Sequence, residues 1–143
     1  MQLAAVPFQW DRERLWGFEK PVSYLPLAEL EWHLDVPFWA HQGAPFQLTP
    51  NQVQLSPDVY QDQFRRTLGA DLKHPLVVMR WRRRWTILDG VHRLLKSQLV
   101  GVDPVPVRVL NRSEVWLVTR GNARKRIRHD AWAEQIDPGG TEA

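Results

Sequence analysis

Within five positions, Asp89, Gly90, His92 and Arg93 set a carboxylate, a residue without a Cβ, an imidazole and a guanidinium where the apolar run WTIL gives way to the helical pattern VHRLLKSQLV. A strand-to-helix turn aims backbone N–H groups outward. The first four of a helix have no partner inside it, and the aligned peptide dipoles place about half a positive charge there. Gly90 lets an anion approach closely and Arg93 offers a planar fork suited to phosphate oxygens. The chemistry expected is phosphate binding on the N–H groups of Gly90, Val91 and His92, with Arg93 as counter-charge. The same residues allow a plain folding role. In that reading Asp89 is the N-cap, bonded to the N–H of Val91 or His92, and Arg93 is a local ion-pair partner worth about 0.3–0.5 kcal/mol.

Strands and a helix must hold this turn in place. PLVVM (75–79) and WTIL (85–88) read as strands joined through RWRRR as a hairpin, because β-branched and aromatic residues dominate both. A helix follows from about 90 to 100, closed by Gly101, with Val91, Leu94, Leu95 and Leu99 as its core face. VPVRVL (105–110) alternates as a third strand, the segment from 113 to 136 is expected to be helical in part, and 137–143 to be disordered. Upstream, the pattern predicts a helix over 26–36 opened by Pro26, a loop over 37–50, a short strand in NQVQL, and a helix over 56–69 with Ser56 as N-cap and Gly69 as terminator. The first 57 residues hold seven of the eleven prolines and four of the eight tryptophans, so they should wrap onto the core.

The 143 residues suffice for one core and read as a single soluble domain. With no cysteine, disulfides, thiolate metal sites and cysteine nucleophiles are excluded. No stretch suits a signal peptide or a membrane span, so a cytoplasmic protein without a membrane partner is expected. Charge is divided unevenly. Residues 1–75 carry 6 Lys/Arg against 9 Asp/Glu, and residues 76–143 carry 13 against 7. The basic half contains the turn and two arginine-rich clusters, around Arg82, Arg83 and Arg84 and around Arg124, Lys125 and Arg126. Each is either a solvated face or a nucleic-acid contact.

The stretch ILDGVHRLLKSQLVGVDPVPVRVL (87–110) resembles the signature of the ParB/sulfiredoxin superfamily: a strand, a D-G-x-H-R type turn, a helix ending in Gly, and a V-P-V strand. The resemblance implies an α+β domain, a small mixed sheet flanked by helices, with a phosphate-binding helix N-terminus. It implies a core over 50–112, to which residues 1–49 add a packed extension and 113–136 a helical segment. Gly90, His92 and Arg93 match the G-C-H-R turn with which sulfiredoxins hold ATP, but Val91 stands in place of the catalytic cysteine, which excludes sulfinic acid reduction. Gly90 and Arg93 match the G-E-R-R turn of the CTP-binding ParB proteins, whose later E-N-x-x-R box has no counterpart here. Asp89, Gly90 and Arg93 match the D-G-H-x-R turn of free serine kinases. The ligand implied is therefore a nucleotide (ATP, ADP or CTP). Because the Asp89 carboxylate and a phosphate at the same N–H groups would repel each other, an enzymatic site needs either Mg²⁺ bridging Asp89 and the phosphates or an Asp89 turned from the cap to accept a proton. The activity least contradicted is phosphoryl transfer or hydrolysis, with Asp89 as the base, His92 beside it and Asp58 where family members place a catalytic acid.

Other residues carry plainer readings. Asp58 in a first helical turn also suits the macrodipole, and Trp10, Trp16, Trp32 and Trp39 serve a core as readily as they would stack on a base. His33, His41 and His74 have no metal-ligand spacing. Two function classes remain open, a nucleotide-dependent enzyme and a nucleic-acid-binding module without chemistry.

Overall fold

The hairpin expected around Arg82 and Arg83 forms one edge of the main sheet. A computed structural model describes Trp10, residues 12–118 and Ile136. Along the chain run α1 (Arg12–Trp16), β1 (Ser23–Leu25), β2 (Trp39–His41), β3 (Ala44–Leu48), α2 (Pro50–Leu55), α3 (Gln61–Leu68), β4 (Leu76–Trp81), β5 (Arg84–Asp89), α4 (Val91–Val100), β6 (Val105–Leu110) and α5 (Arg112–Val118). The sheet order is β1-β6-β4-β5, with β6 and β4 parallel and the outer pairs antiparallel. The fold is thus α+β with a mixed sheet. Alternation along the strands gives it two apolar faces. Leu76, Val78, Ile87 and Val107 pack with Leu94 and Leu95 of α4 and with Leu34 and Val53. Val77, Met79, Leu88 and Leu110 pack with Leu15 of α1 and with Val115 and Val118 of α5.

Around the turn the elements follow the sequence pattern; upstream they do not. NQVQL is not a strand but most of α2, because Thr49 and Gln52 form a capping box around Pro50 in the first turn. Ser56 is accordingly the C-cap of α2, and α3 begins only at Gln61, after Tyr60. The segment 26–36 is two three-residue-per-turn helices, Leu27–Glu29 and Glu31–Asp35, and not one α-helix. Its inward row Leu27, Leu30, His33 recurs every three residues, the spacing that such turns eclipse. The loop expected over 37–50 contains the β2–β3 hairpin, turned at Gln42 and Gly43, both at positive φ. Of the expected packed extension over 1–49, the described part supplies an edge strand of the main sheet itself, since β1 pairs with β6. Leu99 is exposed, because it lies roughly 40° round the helix beyond Leu95 and outside the buried arc that runs through Ser97. The segments 119–135 and 137–143 lie outside the described residues.

His33 joins the 3₁₀ segment to the sheet. Its Nδ1–H donates to the Leu30 carbonyl at 2.8 Å, and its Nε2 accepts the Ile87 N–H at 2.9 Å, which requires the neutral ring. Burial above all, with the charge of Arg84 adding to it, pushes its pKa from 6.5 to about 3. The unfolded chain therefore binds a proton between these values that the native chain does not, and stability falls as pH drops below 6.5. His33 should contribute up to about 1.4 kcal/mol per pH unit to the slope measured by denaturant unfolding between pH 7 and 4, and His33→Gln should lower the slope by that amount. Equal slopes in the two proteins would show that His33 is not held neutral.

Candidate functional site

The turn is built at the bulged end of β5. Val77 pairs with Asp89 and Val78 with Ile87, so Leu88 is an extra residue, and the bulge brings Asp89 opposite Val77 where simple alternation would turn it to the other face. Gly90, and not Asp89, is the N-cap of α4, at φ +117° with no side-chain cap. The Asp89 carboxylate points elsewhere: its Oδ2 accepts the Arg93 guanidinium at 2.8 Å and the Trp16 indole N–H at 3.0 Å. The cap reading is thereby corrected, while the local ion pair is present. The first bond inside the helix runs from the Leu94 N–H to the Gly90 carbonyl at 2.9 Å. The N–H groups of residues 90–93 therefore have no acceptor within α4.

Arg93 is more fully committed than a free counter-charge would be. Besides Asp89 it donates to the carbonyls of His74 (3.1 Å) and Pro75 (2.8 Å), which ties α4 to the start of β4. Lys96, one turn later, holds the carbonyls of Leu68, the last residue of α3, and of Ala70 just beyond it. Together these cations fix the loop in front of the turn.

A cleft of about 570 Å³ opens there, lined among others by Trp39, Gln63, Arg66, Gly90, His92 and Arg93. His92 stacks on Trp39 (ring centroids 4.3 Å apart) and its Nε2 meets the Gln63 Oε1 at 2.9 Å. Burial, reinforced by Arg66 and Arg93 and opposed by Asp89, lowers its pKa to about 4. The ring is neutral at pH 7, so Nε2 carries the proton donated to Gln63 and Nδ1 is an acceptor. His92 is thus suited to positioning and not to donating a charge. Arg66 is exposed and has no hydrogen-bond or ion-pair partner among the described residues. Among the described residues it is the guanidinium lining the cleft that is left available to a ligand. Sequence reasoning missed Arg66 and Gln63; their signal is the spacing of three, which puts both on one face of α3.

The structure does not bring Asp58 to the turn. It is exposed in a neighbouring depression that shares Gln63 and Arg66 with the cleft. Arg82, Arg83 and Arg84 stand at and beside the tip of the β4–β5 hairpin, apart from the cleft, and Arg124, Lys125 and Arg126 lie outside the described residues. Of the tryptophans proposed for stacking, Trp10 and Trp39 are buried and Trp16 is exposed; Trp32 donates its indole N–H to the Trp85 carbonyl. Among the described residues no three His, Cys, Asp or Glu are grouped to hold a metal ion, and no helix is long and apolar enough to cross a membrane. Comparisons with protein-family models, curated proteins and solved structures give no match.

Gly90 is required twice over. A Cβ there would meet the Leu76 side chain at 2.9 Å, and the φ of +117° is one that side-chain-bearing residues rarely adopt. Gly90→Ala should therefore cost about 1–3 kcal/mol of stability. Gly43→Ala, at φ +80° with nothing within 4 Å, isolates the backbone cost alone. Thermal unfolding should show the larger loss at position 90, and equal losses would mean that the contact with Leu76 relaxes freely.

Proposed function

We propose that the chain is a phosphate-binding domain of the ParB/sulfiredoxin-like kind whose ligand is a nucleotide, held at residues 90–93. The observation that carries this reading is an N-terminus of α4 that has only a glycine as cap and opens into a cleft beside an unpaired Arg66. Unpaired N–H groups, the positive end of the helix dipole and a free guanidinium favour the same ligand, an oxyanion. The cleft volume of about 570 Å³ suits a nucleotide-sized molecule. Arg93 acts behind the site, holding Asp89 and the loop at His74 and Pro75, and Arg66 takes the counter-charge role that the sequence suggested for Arg93.

The residues also fit the Mg²⁺ that would offset repulsion between Asp89 and a phosphate, since Oδ1 of Asp89 has no partner among the described residues and one carboxylate with phosphates and water is a common Mg²⁺ environment. Mg²⁺ bound there would neutralise phosphate charge. In the alternative enzymatic role, with no metal on Oδ1, that oxygen accepts the proton of an attacking hydroxyl or water while Trp16 and Arg93 hold the other. Calorimetry with ATP, ADP and CTP on wild type and Arg66→Ala tests the binding. Affinity should fall by about tenfold or more, about 1.4 kcal/mol, with unfolding unchanged. Equal affinities would remove Arg66 from the site, and no binding of any nucleotide to wild type would sink the reading.

A second reading, a nucleic-acid surface on the hairpin, is favoured by one observation. Arg82 and Arg83 occupy the two central positions of a two-residue turn at φ 50° and 63°, where Asn-Gly is the unstrained choice. Left-handed arginines cost roughly 1–2 kcal/mol each, and such strain is retained where it serves a function. The guanidinium of Arg84 lies 3.4 Å from the Trp32 ring centroid, and Arg80 and Arg82 lie over Trp85 and Trp81, so the cluster is ordered by stacking. Replacing Arg82 by Asn and Arg83 by Gly should stabilise the fold by about 1 kcal/mol or more and, on this reading, weaken nucleic-acid binding and flatten its salt dependence. Unchanged binding, or none at low salt in wild type, would leave the hairpin as a solvated tip.

A further inference from the structure

On the opposite side of the Asp89–Arg93 pair from the nucleotide cleft lies a second cavity, of about 380 Å³. His74, Asp89 and Arg93 line both and form the wall between them. Its other walls are largely apolar: Leu15 and Trp16 of α1, Phe18, Val77 of β4 and Leu110 of β6. Its floor is set by sheet register. Arg108 of β6 pairs with Val77 of β4, which pairs with Asp89 of β5, so Arg108, Val77 and Asp89 form one row across three adjacent strands.

Arg108 is the anomaly of this row. Its Nε is buried and has no hydrogen-bond partner, and no ion pair joins it to any described residue. Asp89 does not offset it: its one negative charge is already paired with Arg93, and no ion pair links it to Arg108. Arg108 as a whole is half-buried, but a buried N–H left without an acceptor carries a desolvation cost that an anion in the cavity would remove. The chamber therefore combines one uncompensated positive charge with aromatic and aliphatic walls.

We propose that this cavity binds a small organic carboxylate with an aryl or branched aliphatic body, its carboxylate paired with Arg108 and its body against Trp16, Phe18 and Leu110. A carboxylate matches the fork of Nε and Nη in shape, and its single charge balances the one cation, whereas a phosphate would bring excess charge and would find no helix N-terminus here. The apolar walls take the body and exclude water from the ion pair. The site is independent of nucleotide binding, yet a ligand in it lies directly beside Asp89. A carboxylate-bearing second substrate could thus share that wall with a nucleotide.

Phenylacetate and its neutral counterpart phenylacetamide are suitable probes, followed by calorimetry and by the ¹⁵N resonance of the Arg108 Nε. Phenylacetate should bind wild type at least about tenfold more tightly than the amide and shift the Arg108 resonance, and Arg108→Met should abolish the preference. Arg66→Ala should leave it intact, which separates this site from the nucleotide cleft. Equal binding of acid and amide, or an acid preference that survives in Arg108→Met, would overturn the proposal. Should Arg108→Met fail to fold, the wild-type resonance decides: an Arg108 Nε that does not move on saturation with phenylacetate overturns it equally.

Discussion

The guanidinium of Arg93 ties together the three chain segments that meet at the turn. One nitrogen reaches the Asp89 carboxylate at the end of β5, another the carbonyls of His74 and Pro75 just before β4, and the stem belongs to the first turn of α4. Charge-assisted bonds of this kind are worth more than neutral ones, and here a single planar group makes three. With Asp89 drawn toward Arg93 and Trp16, the helix is left with glycine as its cap. The cleft in front of α4 follows from that choice, because a carboxylate that capped the helix would occupy the N–H groups an anion needs.

The same ion pair also divides the molecule's cavities. On one side the lining is mixed, with Gln63, Arg66 and a neutral His92 braced on Trp39 among apolar residues. On the other it is largely apolar apart from Arg108 and the shared wall. Both depend on the bulge at Leu88, which sets Asp89 in the row of Val77 and Arg108. Part of the charge asymmetry acquires a location as well: Arg66, available to a ligand at the turn, comes from the acidic half, while Arg82, Arg83 and Arg84 of the basic half are exposed at and beside the hairpin tip.

His33 and Trp32 do for the N-terminal region what Arg93 does for the turn. Both address the backbone of β5, one through Ile87 and the other through Trp85, so a segment rich in prolines becomes part of the sheet's support. Packing of Leu30 and Leu34 then closes the core on that face.

From sequence alone, the β4–β5 hairpin, α4 with its closing Gly101, and β6 were all legible, because their periodicity and punctuation are local and agree with the burial they meet. The strand-to-helix position of Asp89, Gly90, His92 and Arg93 was legible for the same reason. NQVQL was misread although Thr49, Pro50 and Gln52 carry a local cap signal: Val53 and Leu55 alternate as a strand would, yet in the helix they fall on opposite sides, Val53 buried and Leu55 exposed. Which partner Asp89 takes was beyond the sequence. Trp16 lies far from it along the chain, and Pro75 and His74 offer backbone carbonyls, which no residue type announces. The assignment of Arg66 to the cleft and of Arg108 to a cavity floor likewise depends on how α3 docks beside α4 and how β6 registers against β4. Local chemistry determined where the turn lies; the long-range hydrogen bonds and strand register decided which side chains are free to act at it.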